Sequence, residues 1–456
     1  MALLPLSHIS YIDSLLSRSQ WNTANGQAVN LTYSFPGTGS TNSTFASGIT
    51  EVDVKWYALT SYEQTQFKAA LSAWSEVANL HFNQVKDDST SQGQIRVAFS
   101  QAVATDGSNG WAHYPGTSRE AGDVWLSPKL TNFDAGAHPF RTMIHELGHA
   151  IGLKHSFEGE PNNSAILTGV HDTVQYSMMA YNSYSGAGYL SDGHHVQPTT
   201  PMLYDIAAIQ FLYGANMTTR TGNDIYTFSN TTGELKTIWD AGGIDTFDLS
   251  NQTLKQTINL NAGQFSSLGG RDYYLDGSLI SASNNIAIAY NVTIEKAIGG
   301  SGNDTIVGNA VNNTLSGGKG NDTIKGNAGD DVLIGGAGKD NLTGGTGKDI
   351  FKFAAVTDSG ITLTTRDTIV DFNNTLDFDK IDLSTIDAKV GTGVLAGNQA
   401  FSFIGTAAFN AINAAGQVRF DAANHIVYGS NDADATPEFS IFLTGVANLT
   451  AADFIL

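Results

Sequence analysis

Residues 317–352 read GGKGNDTIK GNAGDDVLI GGAGKDNLT GGTGKDIFK, which are four consecutive units of nine residues. Two further units, starting at Gly299 and Gly308, precede them, so the repeats cover residues 299–352. The eighth residue of every unit is apolar, and the sixth is Asp or Asn: Ile306, Leu315, Ile324, Leu333, Leu342 and Phe351; Asp304, Asn313, Asp322, Asp331, Asp340 and Asp349. Such regularity indicates stacked units that bury a shared apolar row, which a Gly/Asp-rich linker would not need.

Each unit is interpreted as half a coil of a parallel β-roll, so turns on one edge lie 18 residues apart. One edge stacks the turns at 299, 317 and 335, and the other stacks those at 308, 326 and 344. Glycines permit tight turns with exposed carbonyls, and Asp adds a hard carboxylate oxygen, so an ion that fits between two turns is Ca²⁺. The predicted ligands are Gly300, Gly302, Asp304, Asn309, Asn313, Gly317, Gly318, Gly320, Asp322, Gly326, Gly329, Asp331, Gly335, Gly336, Gly338, Asp340, Gly345, Gly347 and Asp349.

The unit at 308, GNAVNNTLS, departs from this pattern. Val311 replaces a glycine and Asn313 replaces the aspartate. A calcium site between the turns at 308 and 326 is therefore expected to be weaker, or to depend on backbone carbonyls.

The composition and net charge of the chain argue against several classes of function. The chain has 456 residues, a formal net charge of −20, 49 glycines and no cysteine. Bulk electrostatics therefore argues against binding to nucleic acid or an anionic membrane. Disulfides, thiolate metal sites and a cysteine nucleophile are excluded. We expect neither a membrane span nor a signal peptide, since the start MALLPLSHISYIDSLLSR lacks a basic region and a long apolar run.

The first half has a different pattern, typical of mixed α and β structure. We predict helices over about 60–79, 140–151 and 201–213, the first with a capping box from Thr60 to Glu63, and a strand over 94–99. Residues 215–222 are a predicted linker. The sequence thus suggests two domains, 1–215 and 216–456, the second entirely β.

The string HELGHAIGLKH, residues 145–155, carries the chemistry of the first domain. On a helix, His145 and His149 share one face and can chelate one metal. Glu146 is placed to hold a water on that metal. Gly152 allows a sharp turn, so that His155 returns as a third ligand and a fourth position stays open, as a catalytic zinc requires.

The extended motif is similar to that of the metzincins, which also need a methionine turn below the metal. SMMAY at 177–181 supplies that turn, with Met179 as its methionine. The fold class implied is an α+β metzincin-type protease domain followed by an all-β parallel β-roll or sandwich domain.

The chain more closely resembles the serralysins, bacterial secreted metzincins with a calcium-binding repeat domain. HELGHAIGLKH, SMMAY, DIAAIQFLYGAN (205–216) and the repeats occur in the family's order, over roughly residues 20–456. The resemblance implies that Glu146 is the general base. It also implies that Tyr181 ligates the resting zinc and then stabilises the oxyanion. Ser156 and Ala180 stand where the family usually has Pro and Ser, and neither change removes a ligand.

The resemblance also implies calcium ligands upstream of the repeats: Arg220, Gly222, Asp224, Asp240, Gly242, Gly243, Asp245, Thr293 and Glu295. For Asp371 and Asp379 the calcium and surface-acid interpretations both stay open. The final residues DFIL are similar to an uncleaved signal of type I exporters, although a last β-strand would look the same.

The function implied is a secreted zinc endopeptidase of broad specificity, stabilised by calcium. Its partners would be protein or peptide substrates, a type I secretion exporter and a proteinaceous inhibitor, and the chain would be a monomer. WAHYP at 111–115 is a candidate edge strand for pairing with substrate, and a plain surface segment is the equal alternative. The alternative function is a calcium-dependent binding or toxin-like protein with a catalytically silent metzincin fold.

Overall fold

A computed structural model describes residues 5–37, 55–88, 90–188, 195–272, 279–389, 398–410 and 412–456. Within these ranges, every helix is too short or too polar to cross a bilayer.

The first half contains one mixed sheet and most of the helices. The helices are α1 Ser10–Asp13, α2 Ser61–Val77, α3 Gln101–Asp106, α4 His138–Ala150 and α5 Leu203–Tyr213, with a 3₁₀ turn at Gly169–His171. The strands are β1 Val29–Ser34, β2 Trp56–Tyr57, β3 Leu80–Gln84, β4 Ile95–Ser100, β5 Gly110–Ala112 and β6 Asp123–Leu126. Their order is β3-β1-β4-β6-β5, with β2 paired to β4. Strand β5 is antiparallel to β6 and lies at the edge of the sheet.

The three predicted helices and the predicted strand are all present, with ends shifted by one or two residues. At the start of α2, the backbone N–H of Thr60 donates to the Glu63 carboxylate at 2.6 Å, which closes the expected capping box. After α4, Gly152 has a φ of +113°, and a Cβ there would lie 2.3 Å from the Ser19 carbonyl oxygen. Only glycine fits that turn, which redirects the chain toward His155.

The second half is all β, apart from a 3₁₀ turn at Ala451–Asp453. Its strands are β7 Ile225–Thr227, β8 Lys236–Ile238, β9 Thr246–Asp248, β10 Thr257–Asn259, β11 Phe265–Ser266, β12 Gly270–Asp272, β13 Leu279–Ser281, β14 Ile286–Ile288, β15 Lys296–Ile298, β16 Thr305–Val307, β17 Thr314–Lys319, β18 Thr323–Ala328, β19 Val332–Ala337, β20 Asn341–Thr346, β21 Ile350–Lys352, β22 Asp367–Ile369, β23 Lys380–Asp382, β24 Ser402–Phe403, β25 Gln417–Asp421, β26 Ile426–Ser430, β27 Phe439–Leu443 and β28 Phe454–Ile455.

The repeats form two facing parallel sheets with the predicted register. Leu315 pairs with Leu333 in one sheet and Ile324 with Leu342 in the other, so partners are 18 residues apart. The apolar eighth residues of the units are fully buried between the sheets. This confirms the expected fold class, because alternate units contribute to opposite sheets around one apolar row.

Strands from the C-terminal region extend both sheets. β22 and β27 continue one sheet, and β26 runs antiparallel to both of its neighbours, β25 and β27. The last strand, β28, pairs with β23 at the end of the other sheet. The residues DFIL therefore have a structural role as a final strand, and their role as an export signal stays a prediction.

The predicted linker is bound to both halves rather than extended between them. Thr219 donates to the Glu76 carbonyl oxygen of α2 at 2.8 Å, and Arg220 pairs with the Glu76 carboxylate at 2.9 Å. From the second half, Trp239 donates to the carbonyl oxygen of Asn216 at 3.0 Å. These contacts join the two halves at α2.

Candidate metal centres

Helix α4 and the turn after it bring three imidazoles to one point. The Nε2 atom of His155 lies 3.3 Å from Nε2 of His145 and 3.1 Å from Nε2 of His149. His145 and His149 are only 6% exposed. An Nε2 atom without a proton cannot donate a hydrogen bond, so three such atoms at this distance are not held together by hydrogen bonds to one another. They can instead bind one cation together.

The other ring nitrogens fix this orientation. Nδ1 of His145 contacts the Met178 carbonyl oxygen at 2.7 Å, and Nδ1 of His149 contacts the Leu153 carbonyl oxygen at 2.7 Å. Nδ1 of His155 contacts a Glu158 carboxylate oxygen at 2.8 Å. Each acceptor holds the proton on Nδ1 and leaves Nε2 with a free lone pair, as in known histidine–metal sites.

Burial keeps two of these imidazoles neutral. Desolvation and the neighbouring histidines and Arg141 hold the pKa of His145 well below its usual range. Desolvation, with a contribution from His155, lowers the pKa of His149 to about 3. Neutral imidazoles at physiological pH are the form that binds a metal.

Glu146 lies beside the three imidazoles, but its carboxylate is not one of the clustered ligand atoms. It is 5% exposed, and burial raises the pKa of its carboxyl to about 8, although Arg141 opposes the shift. A Cβ on Gly110 of β5 would lie 2.6 Å from the Glu146 Oε1, so the carboxylate directly faces the edge strand. A nearby divalent cation would favour its ionised form.

Tyr181 reaches the same point from the opposite side. Its phenolic oxygen lies 2.9 Å from Nε2 of His155, and its side chain is 59% exposed. Burial of the hydroxyl end and the Glu146 carboxylate raise the pKa of the phenol. An exposed ring with its hydroxyl at the imidazole cluster can approach a bound ion and also move away from it.

The methionine turn lies under the histidines. A Cβ on Gly148 of α4 would lie 2.7 Å from the Met179 sulfur, which packs the turn against the helix. Asp205 of α5 holds the turn by accepting hydrogen bonds from the Ser177 hydroxyl at 2.6 Å and the Met178 backbone N–H at 2.6 Å. No local pattern in the sequence predicts this role of Asp205, because the residues that it contacts lie 27 and 28 positions earlier in the chain.

The donor set fits zinc. His145, His149 and His155 place their ligand nitrogens within 4.8 Å of one another, and Tyr181 adds a phenolic oxygen. Three nitrogens with an open fourth position suit a borderline ion that accepts tetrahedral geometry. Hard ions such as Ca²⁺ prefer an all-oxygen shell.

In the roll, aspartates form two ladders along the two edges. On one edge, a carboxylate oxygen of Asp322 accepts the backbone N–H of Asp304 at 2.7 Å, and Asp340 accepts that of Asp322 at 2.7 Å. On the other edge, Asp349 accepts the backbone N–H of Asp331 at 3.0 Å. Each Oδ1 thus binds the coil that precedes it by 18 residues.

The second oxygen of these carboxylates has no hydrogen-bond partner among the described residues. Oδ2 is buried and unpaired in Asp322, Asp331, Asp340 and Asp349. Desolvation raises the pKa of Asp322, Asp331 and Asp340 to about 7, with added repulsion from neighbouring carboxylates. Buried oxygens without donors, next to carbonyls of glycine turns, fit a hard cation such as Ca²⁺.

The upstream aspartates also come together. Asp224, Asp240 and Asp245 place one oxygen each within 4.8 Å of the others. Glu295 accepts the Asp245 backbone N–H at 2.7 Å, and the Asp245 Oδ2 is buried without a hydrogen-bond partner in the described part of the chain. The turn is tight, since a Cβ on Gly243 would lie 1.8 Å from the Gly222 carbonyl oxygen. Thr293 is exposed, and the Arg220 side chain points to α2.

Comparisons with known proteins show the family of the chain. Residues 51–180 match the family model described as Matrixin, and residues 210–456 match the model described as Peptidase M10 serralysin C terminal. A relative named Serralysin A from Dickeya chrysanthemi is 38% identical over 96% of this chain and 87% of its own length. The chain belongs to the serralysin family.

Alignments with two other serralysins show how far the sequence similarity extends. The Proteus mirabilis serralysin is 36% identical, over 96% of this chain and 90% of its own length. A Serralysin C from Dickeya chrysanthemi is 38% identical over 63% of this chain. That alignment spans 60% of the relative's length. Alignments with a Serralysin B and another Serralysin C from the same organism also span 60% of those proteins.

In this serralysin, the repeat unit at 308 has an asparagine, Asn313, where the other units have an aspartate. The Asn313 Oδ1 accepts the Asn309 backbone N–H at 2.8 Å, and its Nδ2 donates to the Glu295 carbonyl oxygen at 3.1 Å. Neither atom is orphaned, unlike those of the aspartates. The weaker calcium site expected at this unit, with Asn309 and Asn313 as ligands, stays a prediction.

The ladder of this serralysin continues beyond the repeats. Asp367 accepts the Asp340 backbone N–H at 2.7 Å, and its Oδ2 is buried and unpaired. Burial and the Asp340 carboxylate raise its pKa to about 9. Asp379 similarly accepts the Asp349 backbone N–H at 3.0 Å and is 3% exposed, so it is not a surface acid. Asp367 lies 27 residues after Asp340 instead of 18, so the nine-residue repeat does not predict it.

Proposed function

We propose that the chain is a secreted zinc endopeptidase with broad specificity for protein substrates, whose roll is stabilised by calcium. The observation that carries the proposal is the convergence of three Nε2 atoms beside the Glu146 carboxylate and the Tyr181 phenol. A catalytically silent binding protein would not need a buried carboxylate next to such a centre.

The chain's own residues divide the chemical work. His145, His149 and His155 would hold the zinc, which when bound lowers the pKa of a water to about 7 and polarises a carbonyl. Glu146 accepts the proton of the attacking water and passes it to the leaving amine. Tyr181 donates its phenolic hydrogen to the oxyanion as charge develops there.

Strand β5 is the surface on which we place the substrate. It pairs with β6 on one side and ends the sheet on the other. Because Gly110 faces the Glu146 carboxylate, an extended peptide paired with β5 would pass its scissile bond beside that group. Gly110 and Ala112 leave the approach free of bulky side chains on alternate residues.

Calcium and export form the second part of the proposal. Ca²⁺ between stacked turns would satisfy the unpaired carboxylate oxygens of the ladders and fix glycine-rich backbone. A chain that needs calcium for its roll can stay unfolded until it is outside the cell. We propose a type I exporter as the partner for that step and a proteinaceous inhibitor as a further partner.

The test is casein zymography of the calcium-loaded protein with and without a zinc-selective chelator, and with zinc added back. We expect a cleared band that disappears with chelator and returns with zinc. A folded protein with one bound zinc and no cleavage of any protein would instead support the binding-protein alternative.

A further inference from the structure

A cavity of about 320 Å³ opens beside Glu146 and Tyr181. The loop from Gly107 to Gly110 lines one part of it, and Arg141, Thr142 and neighbouring residues of α4 line another. Ligand pockets in proteins range over about 300–1,000 Å³, so this volume suits one amino-acid side chain rather than a large cofactor.

Arg141 is the unusual residue in this lining. Its side chain is 8% exposed. Nη2 donates to the carbonyl oxygens of Ala180 and, at 3.4 Å, Met178. Nε is buried and has no hydrogen-bond partner, and within the described ranges no carboxylate forms an ion pair with Arg141.

The two carboxylates whose charges act on Arg141 already have other contacts. Asp205 accepts hydrogen bonds from the Met-turn and from the Met202 backbone N–H at 2.8 Å. Glu146 faces Gly110. Burial lowers the pKa of Arg141 to about 10, so the guanidinium is still charged at neutral pH. Asp205 and Glu146 favour the charge of Arg141, but neither forms an ion pair with it, and a buried cation without a directly paired anion is costly.

A purely structural role does not account for the whole side chain. Tethering the methionine turn uses only Nη2, and His145 already contacts the same Met178 carbonyl oxygen at 2.7 Å. The unpaired Nε belongs to a guanidinium that lines the cavity. A guanidinium offers a planar fork of donors, whose usual partner is a carboxylate.

We propose that Arg141 makes this cavity a subsite for an acidic substrate side chain, Asp or Glu, directly next to the scissile bond. This inference rests on the endopeptidase function proposed above. Arg141 acts here as a specificity residue that contacts the substrate, while the catalytic groups remain Glu146 and Tyr181.

The experiment uses the full-length, zinc- and calcium-loaded protein. Cleavage sites are mapped by mass spectrometry in a peptide library, and kcat/KM is then measured for matched peptides that carry Glu or Gln beside the bond. We expect the wild-type protein to prefer Glu by about tenfold or more, since hydrogen bonds to charged groups are among the strong ones. In Arg141→Gln the ratio should fall to about one, and Arg141→Lys should keep an intermediate ratio.

The wild-type measurement alone can overturn the inference. A Glu to Gln ratio near one in the wild-type protein means that the cavity does not select acids, even if Arg141→Gln fails to fold. An equal loss for both peptides in Arg141→Gln, with the ratio unchanged, assigns Arg141 to holding the turn. Failure of the wild-type protein to cleave any library peptide rejects the endopeptidase function itself, which is a distinguishable result.

Discussion

At the scale of single residues, the environment of Glu146 separates base from ligand. Its carboxylate is buried beside the imidazole cluster but contributes no atom to it. Removing the carboxylate should therefore leave the cation site intact while removing the group that takes the proton.

We expect Glu146→Ala to retain one zinc per chain and to lose activity by about 10²–10⁴-fold, the usual contribution of a general base. Metal content by elemental analysis and kcat by peptide hydrolysis measure the two effects. His149→Ala is the control and should lose zinc as well as activity. Near-normal turnover by metal-loaded Glu146→Ala would sink the proposed mechanism.

Tyr181→Phe should lower kcat more than it changes KM. The hydroxyl acts mainly on the developing oxyanion, and one such donor is worth about 2.7–4 kcal/mol. The ring stays in place, so packing against His155 and Phe157 is preserved. Steady-state kinetics decide the matter, and an unchanged kcat would leave the tyrosine with a structural role.

At the scale of elements, local patterns in the sequence predicted what periodicity and capping control. Helix α2 and the roll strands follow from the Thr60–Glu63 box and the nine-residue repeat. The start of α4 was misplaced by two residues, because its N-cap Ala137 has no capping side chain and the signal is only Pro139. Asp367 and the partners of Arg141 depend on contacts between distant segments, which no local pattern encodes.

The aspartate ladder predicts unequal effects of two substitutions. Asp322→Ala removes an oxygen that has no protein partner from the intact edge, whereas Asn313→Ala removes an amide already bonded within the protein. We expect Asp322→Ala to raise the calcium midpoint of folding several-fold, and Asn313→Ala to raise it less. Circular dichroism of the full chain during calcium titration measures both, and equal midpoints would contradict the assignment.

At the scale of the whole molecule, the raised pKa values link calcium to pH. Without calcium, the folded state has the pKa of Asp322, Asp331 and Asp340 raised to about 7 from 3.8, so it holds protons that the unfolded chain releases. Stability from these groups is complete below about pH 4 and is lost as the pH rises through about 7.

Calcium reverses this dependence, because it replaces the protons. For calcium binding to the folded roll, the midpoint should therefore be lower at pH 8 than at pH 6, by about tenfold in total for each proton displaced, because the pKa of about 7 lies midway between the two pH values. Calorimetric titrations at the two values, with a buffer-enthalpy series to count released protons, provide the measurement. A midpoint that does not vary with pH would show that the carboxylates are already ionised in the calcium-free protein, as they are in an unfolded chain.

The link from each aspartate to the preceding coil has a consequence for cooperativity. Because Asp322 and Asp340 each bond to the coil before them, neighbouring coils are coupled, as sites are in a one-dimensional Ising chain. We therefore expect an ion bound between two coils to order both of them and to lower the cost of binding the next ion, with a Hill slope above one. A substitution that removes a site at the end of such a row of coils shortens the row, whereas one in the middle divides it into two short rows. The calcium concentration needed to fold the roll should then follow the length of the uninterrupted row of coils rather than the affinity of any single site.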